Sequence, residues 1–192
     1  QLARDCKILA IYEGTNGIQS MDMTMRKLLM NPGMFNFTVF KKRIAEACDK
    51  AKGVVDDKYI AAVKNAIDKM DATVQVLAGW RDAKKALDIL AIATPLQQAM
   101  RMVAHAWMHL LSMTVAIPKL KAIAGDIAGE KAVATAKDNA EAAYYLGKIQ
   151  SDKFYLGTEL KHLYGYLEYI ESGEPAAVNE CFEDIFTGAL PQ

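Results

Sequence analysis

Apolar residues recur along most of the chain at spacings of three and four, which is the pattern of amphipathic α-helices. Ala, Leu, Lys, Met and Glu are frequent, and strand-like alternation with β-branched residues is almost absent. The period is nearer to the helical value of about 3.6 residues than to a strict heptad repeat. The pattern therefore predicts an all-α fold, in which an antiparallel, roughly four-helix bundle follows one helix and its loop.

The first clear helix is predicted to begin within a Gly-Thr-Asn-Gly stretch. Either Thr15 or Asn16 is expected to cap it, because a side-chain oxygen at this position accepts hydrogen bonds from free amides of the first turn. Five apolar residues that follow share one helical face: Ile18, Met21, Met25, Leu28 and Leu29. The helix is expected to end at Pro32-Gly33.

Turn signals divide the rest of the chain into long helices. One is predicted to begin at Asp56 and to weaken at Gly79. The next begins at Thr94-Pro95, with threonine as the cap and proline in the first helical position, and Pro118 kinks or ends it. The last long helix is predicted over residues 130–170, with soft spots at its glycines 147 and 157.

The Pro32-Gly33 turn is also the predicted boundary between two parts of the chain. Residues 1–31 would hold one helix with its preceding loop, and residues 34–192 would form the bundle. Because the chain begins at Gln1 without a methionine or a helix start signal, we interpret this start as the cut end of a longer protein.

Composition removes several classes of function. Lysine plus arginine and aspartate plus glutamate each number 23, so the formal charge is zero, which argues against nucleic-acid binding and against an anionic membrane surface. No apolar run approaches the roughly 20 residues of a membrane span, and no signal peptide is evident. The three cysteines, Cys6, Cys48 and Cys181, are widely spaced, which indicates reduced, mostly buried thiols and a cytoplasmic location.

Histidines and aromatic residues offer weaker candidates. His105 and His109 have the spacing of a zincin motif, but Ala106 replaces the glutamate that would act as base, so no metal site is predicted. We interpret both as partly buried helix histidines. Further aromatic residues are interpreted as core or interface rather than as a ligand cavity: Trp107, Tyr144, Tyr145, Phe154 and Tyr155.

The most specific motif precedes the first helix. The run RDCKILAIYEGTNGIQ, residues 4–19, resembles the C-terminal signature of acyl-CoA dehydrogenases, RDAKI-x-x-IYEGT-x-x-IQ, without a gap. The part after Pro32-Gly33 resembles, more loosely, the extra C-terminal helical domain of a bacterial branch of that family, which includes methylmercaptopropionyl-CoA dehydrogenases.

This resemblance implies roles for the residues of the motif. Glu13 would be the catalytic base that removes the α-proton of an acyl-CoA thioester, and Gly14 would lie against the substrate. Thr15, Asn16 and Gly17 match the positions that approach the FAD. The Asn-Gly pair differs from the Ser-Gln or Ala-Gln that is frequent in the family, which affects side-chain contacts to the flavin and leaves the base in place.

Elementary chemistry agrees with these roles. A thioester α-proton is weakly acidic, and a carboxylate enclosed by an apolar substrate and a flavin loses solvation, which raises its pKa and strengthens it as a base. The helix that begins near Asn16 would direct its free amides toward a polar group of the cofactor.

The whole chain is therefore interpreted as the C-terminal portion of a flavin-dependent acyl-CoA dehydrogenase. The resemblance implies FAD in the full-length enzyme, an acyl-CoA substrate, an electron-transfer flavoprotein as acceptor and a homo-oligomer. The isolated chain is expected to be inactive, since the flavin- and CoA-binding domain would lie upstream. The alternative is a non-catalytic helical module for interaction or oligomerisation that retains part of the signature.

Overall fold

The computed structural model describes residues 1–7 and 14–174, and within these ranges it contains α-helices and no strand. Four helices are long: α3 (Phe35–Ala51), α4 (Asp57–Asp82), α6 (Ala93–Ala124) and α8 (Ala140–Gly157). Five are shorter: α1 (Leu2–Asp5), α2 (Asn16–Asp22), α5 (Ala86–Ala91), α7 (Gly129–Asp138) and α9 (His162–Ser172). The predicted all-α bundle is confirmed. Over the described residues, no helix combines the length and the apolar character needed to cross a membrane.

Helix α6 lies at the centre of the bundle and packs against α2, α3, α4, α8 and α9. Its apolar residues alternate at spacings of three and four and form one buried stripe: Leu96, Ala99, Val103, Ala106, Leu110, Met113, Ile117, Leu120 and Ala124. They share the core with buried side chains of the neighbouring helices, among them Ile44, Met70, Leu77, Ile149 and Leu163. This stripe follows directly from the sequence pattern.

Helix α2 continues into a π-helical segment, Met23–Leu29, whose wider turn changes the direction of the side chains that follow it. Leu28 and Leu29 are buried, whereas Ile18 and Met21 are 61% and 41% exposed. The apolar face predicted for this helix is therefore divided. Its C-terminal end lies in the core, and its N-terminal end faces away from the described part of the chain.

The end of the π-helical segment is fixed by side-chain and turn geometry. The Arg81 guanidinium of α4 donates a hydrogen bond of 2.6 Å to the Leu29 carbonyl. A short 3₁₀ turn, Pro32–Met34, follows, in which Gly33 has a φ of 60°. The chain therefore turns at Pro32-Gly33 as predicted. The division into domains 1–31 and 34–192 stays a prediction.

Two predicted features of the middle helices are wrong. Helix α4 does not weaken at Gly79, because the buried residues Leu77 and Ala78 hold it in the core. The break comes later, at Lys84, which adopts a φ of 60° that is uncommon outside glycine. Helix α6 begins after Ile92 and does not end at Pro118, since its side chains on both sides of the proline are buried, and a kink at Pro118 stays a prediction.

The predicted continuous helix over residues 130–170 is also wrong. It is divided into α7, α8 and α9, with a 3₁₀ turn, Glu159–Lys161, before α9. The first break is at Asn139, whose side chain accepts a hydrogen bond of 2.9 Å from the Ala142 amide and so caps α8. The soft spot at Gly157 is confirmed as the end of α8, whereas Gly147 lies inside the helix.

A polar cluster joins α9 to α4. The Lys69 ammonium donates to Glu171 at 2.7 Å, and the Thr73 hydroxyl donates to the same carboxylate at 2.5 Å. Thr73 is fully buried. Burial alone would raise the pKa of Glu171, but the hydrogen bonds from Lys69 and Thr73 outweigh it, so the pKa lies below its usual value. The folded state therefore favours the ionised carboxylate.

This cluster predicts a pH-dependent contribution to stability. Because the pKa of Glu171 is lowered on folding, its contribution is present above the pKa of the unfolded chain and is lost as the pH falls through the lower value of the folded chain. We expect Glu171→Gln to reduce the free energy of unfolding by about 1 kcal/mol at neutral pH. The difference from wild type should shrink below about pH 4.5. Urea unfolding, followed by circular dichroism at each pH, measures this difference in stability.

Glu168→Gln, on the exposed side of the same helix, is the matched control. It should change the stability by less than about 0.5 kcal/mol at every pH. A Glu171→Gln effect that does not vary with pH would contradict the proposed role of the ionised carboxylate.

Candidate functional site at the start of helix α2

The acyl-CoA dehydrogenase-like motif ends at the exposed N-terminus of α2. Its predicted base, Glu13, lies outside the described residues. Gly14 and Thr15 are non-helical and exposed, and Asn16 and Gly17 open the helix and are exposed as well. The structure thus brings four of the five predicted site residues together around one helix start.

Thr15 occupies the cap position without capping through its side chain. Its carbonyl accepts a hydrogen bond of 2.9 Å from the Gln19 amide, but its hydroxyl accepts none from the first turn. The backbone explains this result, because its ψ of 68° is far from the extended conformation that N-cap residues usually adopt. The predicted side-chain cap at Thr15 is therefore wrong, and the first amides of α2 remain without an intrahelical partner.

Two further features leave the helix start open. The first turn contains no acidic side chain that would compete for the amides or offset the positive end of the helix dipole. At Gly17, an added Cβ would meet no atom within 4 Å, so packing against the described residues does not require glycine there. The backbone at this position is accessible to a ligand.

Ser20 attaches α2 to the central helix. Its side chain is fully buried, and its hydroxyl lies 2.8 Å from the Asn16 carbonyl oxygen. The same hydroxyl contacts the side-chain amide oxygen of Gln97 on α6. This contact is not predictable from the sequence, because nothing local relates two residues that are 77 positions apart. The contact fixes the start of α2 relative to α6.

A second polar cluster crosses from α6 to α8. The Nδ1 atom of His109 lies 2.7 Å from an oxygen of Asp152, whose side chain is fully buried. The Lys148 ammonium lies 3.9 Å from the same oxygen. Tyr155 stacks on the His109 ring, with centroids 4.4 Å apart and an interplanar angle of 23°. The pair anchors α8 to α6.

His105, the other histidine of the zincin-like spacing, does not take part in the His109–Asp152 pair. His105 is exposed rather than partly buried as a whole residue. Desolvation of its ring lowers its pKa, and the charges of Arg101 and His109 act in the same direction. Among the described residues, no three side chains of histidine, cysteine, aspartate or glutamate are grouped as ligands for a metal ion.

The aromatic residues have two different environments. Trp107 packs edge-to-face on Phe40, with ring centroids 6.0 Å apart, and Tyr155 stacks at the α6–α8 interface. The core or interface interpretation is confirmed for these two. Tyr144 and Phe154 are instead 64% and 61% exposed, so they line no interior cavity.

The cysteines also differ. Cys48 is buried in the core and burial raises the pKa of its thiol, as expected for an unreactive structural cysteine. Cys6 is exposed, contrary to the expectation of mostly buried thiols, and Cys181 lies outside the described residues.

Comparison with known proteins gives the family. The model of the family described as "Acetyl-CoA dehydrogenase C-terminal like" matches residues 40–179, which is most of the chain. The chain therefore belongs to this family. The match covers the helices that follow the Pro32-Gly33 turn, whereas the motif at residues 4–19 lies outside it.

Two curated relatives match almost the whole chain. Both are named butyryl-CoA dehydrogenase and come from Syntrophomonas wolfei subsp. wolfei. One is 28% identical over 186 residues, which is 95% of this chain and 28% of the relative. The other is 26% identical over 182 residues, which is 93% of this chain and 27% of the relative. The chain thus spans less than a third of the length of these relatives. No solved structure matches significantly.

The buried Asp152 predicts a large effect of removing its partner. Because Asp152 is fully buried, His109→Gln would leave its carboxylate without the imidazole that lies 2.7 Å away. We expect a loss of about 1–3 kcal/mol in the free energy of unfolding, measured by urea denaturation, since a buried oxygen that loses its hydrogen-bond partner pays its desolvation cost. Adding Asp152→Asn should recover part of that loss.

His162→Gln, at an exposed position on α9, is the control and should change the stability by less than about 0.5 kcal/mol. If His109→Gln cost no more than this control, Asp152 would not depend on His109.

Proposed function

We propose that this chain is the C-terminal portion of an FAD-dependent acyl-CoA dehydrogenase in which Glu13 removes the α-proton of an acyl-CoA thioester. The observation that carries the proposal is the gapless signature over residues 4–19, which ends at the exposed start of α2. Membership of the C-terminal dehydrogenase family supports it independently, because the family match begins only at residue 40.

The chemistry assigns a separate task to each residue of the motif. The Glu13 carboxylate accepts the α-proton, and its enclosure by apolar groups would make it a stronger base than an exposed glutamate. Gly14 has no side chain and so permits the thioester to approach the backbone. The β-hydrogen would leave as hydride, for which a bound FAD would supply the acceptor.

The open first turn of α2 supports the proposed contacts of Thr15, Asn16 and Gly17 with the flavin. These residues are exposed, and the first turn carries no acidic side chain. Unpartnered amides at a helix N-terminus favour a polar or anionic group of a ligand. The anchoring of Ser20 to Gln97 would hold this turn in place while the ligand binds.

The names of the relatives suggest the first substrate to assay. Both are called butyryl-CoA dehydrogenase, so we propose a short, saturated acyl-CoA thioester for the full-length protein. An electron-transfer flavoprotein as acceptor, assembly into a homo-oligomer and a cytoplasmic location belong to the same proposal. Each extends the family resemblance to the longer protein.

The role of Glu13 predicts a selective loss of chemistry. In the full-length protein, Glu13→Gln should retain the flavin but slow the bleaching of its absorbance by butyryl-CoA by at least about 100-fold, since the amide cannot accept the proton. Stopped-flow absorbance measures this rate. Glu46→Gln, at a partly exposed position on α3 outside the motif, is the matched control and should bleach at the wild-type rate. Near-normal bleaching in Glu13→Gln would assign the base to another residue.

The separation of the motif from the rest of the enzyme predicts that the 192-residue chain alone does not retain FAD. It would offer one helix start to the cofactor and none of the remaining binding surface. We expect the purified chain, after mixing with FAD and desalting, to retain far less than one FAD per chain, as measured by flavin absorbance. Stoichiometric FAD after desalting would contradict this division of the site.

A further inference from the structure

A groove lies between the N-terminal half of α6 and the 3₁₀ turn with α9. Its volume is about 670 Å³, within the range of small-molecule sites. The side chains that give it chemical character come from both sides: Arg101 from α6, and Glu159, His162, Tyr166 and Tyr169 from the turn and α9. None of these residues belongs to the acyl-CoA dehydrogenase motif.

Gly165 leaves one wall of this groove without a side chain. It lies inside α9, where glycine disfavours the helix relative to alanine, and it lacks the positive φ that would require glycine. An added Cβ would meet no atom within 4 Å. Among the described residues, neither packing nor backbone conformation requires the glycine, and its missing side chain leaves this wall of the groove open.

The charged groups of the groove are available to a ligand. Arg101 donates from Nε to the Gln98 side chain at 2.9 Å, and among the described residues its guanidinium forms no ion pair. Glu159 lines the same groove and likewise has no ion-pair partner within the described ranges. A planar guanidinium of this kind suits phosphate oxygens, which it binds through two parallel hydrogen bonds.

Two aromatic rings complete the set. Tyr166 and Tyr169 are 36% and 55% exposed, and their spacing of three places them on neighbouring positions of α9. Exposed aromatic faces stack on nucleobases. The groove therefore offers a group for each part of a nucleotide. The tyrosine rings and the Glu159 carboxylate suit the base, and the Arg101 guanidinium suits the phosphates.

We propose that this groove binds a purine nucleoside diphosphate group, either as a free nucleotide or as part of a coenzyme. The purine stacks on Tyr166 and Tyr169, and Glu159 accepts a hydrogen bond from an amino group of the base. Arg101 and His162 donate to the phosphates. This site goes beyond the proposed dehydrogenase chemistry and does not depend on Glu13.

Isothermal titration calorimetry of the 192-residue chain with four probes tests the proposal: ADP, coenzyme A, adenosine and inorganic pyrophosphate. ADP should bind saturably with a Kd between about 1 μM and 1 mM. Adenosine and pyrophosphate should each bind at least about tenfold more weakly, because each lacks one of the two recognised parts. Coenzyme A binding as tightly as ADP indicates a coenzyme source, and weaker coenzyme A binding indicates a free nucleotide.

Variants of the groove separate this site from general anion binding. Gly165→Leu should abolish ADP binding by filling the groove, while Gly165→Ala should bind ADP within about twofold of wild type. Arg101→Gln should weaken ADP binding by about tenfold or more. Circular dichroism verifies that each variant is folded, and Arg101→Gln changes an exposed side chain rather than a core residue. Three results would each overturn the proposal. They are a lack of saturable ADP binding, pyrophosphate binding that is as tight as ADP binding, and unchanged ADP binding in a folded Gly165→Leu variant.

Discussion

The buried apolar stripe of α6 is the surface on which the other long helices pack. It runs from Leu96 to Ala124 and contacts the core side chains of α3, α4, α8 and α9. Because interiors are packed at nearly crystalline density, a helix that touches so many neighbours fixes their mutual positions. The start of α2, the His109–Asp152 pair and the groove beside Arg101 all depend on this helix. Helix α6 thus fixes the relative positions of features that are far apart in the sequence.

Polar contacts specify how the helices sit on that apolar surface. Ser20 meets Gln97 at one end of α6, and His109 meets Asp152 further along it. Apolar packing alone tolerates small rotations of a helix, whereas a buried hydrogen bond is lost if its partners move. The arrangement carries a cost, since the second oxygen of Asp152 is buried without a hydrogen-bond partner among the described residues.

Local sequence signals predicted the helices well, but they predicted the positions at which the helices end less well. Asp56 caps α4 as its position before a helical pattern suggests, and the stripe of α6 is readable from spacing alone. Lys84 takes a left-handed conformation that no propensity favours, so its helix break was not predictable. Asn139 carried a usable capping signal that the helical pattern around it concealed. The motif was readable because it is contiguous, whereas the contacts of Ser20 and His109 arise only when distant helices meet.

The start of α2 shows how a helix terminus can be positioned without using its own amides. A side-chain cap would hold the turn, but it would occupy donors that a ligand could otherwise use. Thr15 provides no such cap, and the helix is instead held from its buried side, where Ser20 contacts Gln97. Ser20 therefore fixes the first turn from its buried side, and among the described residues no side chain caps the exposed amides of that turn. This separation of anchoring from capping supports the flavin contacts that we propose, because a ligand site needs rigidity and free donors at the same place.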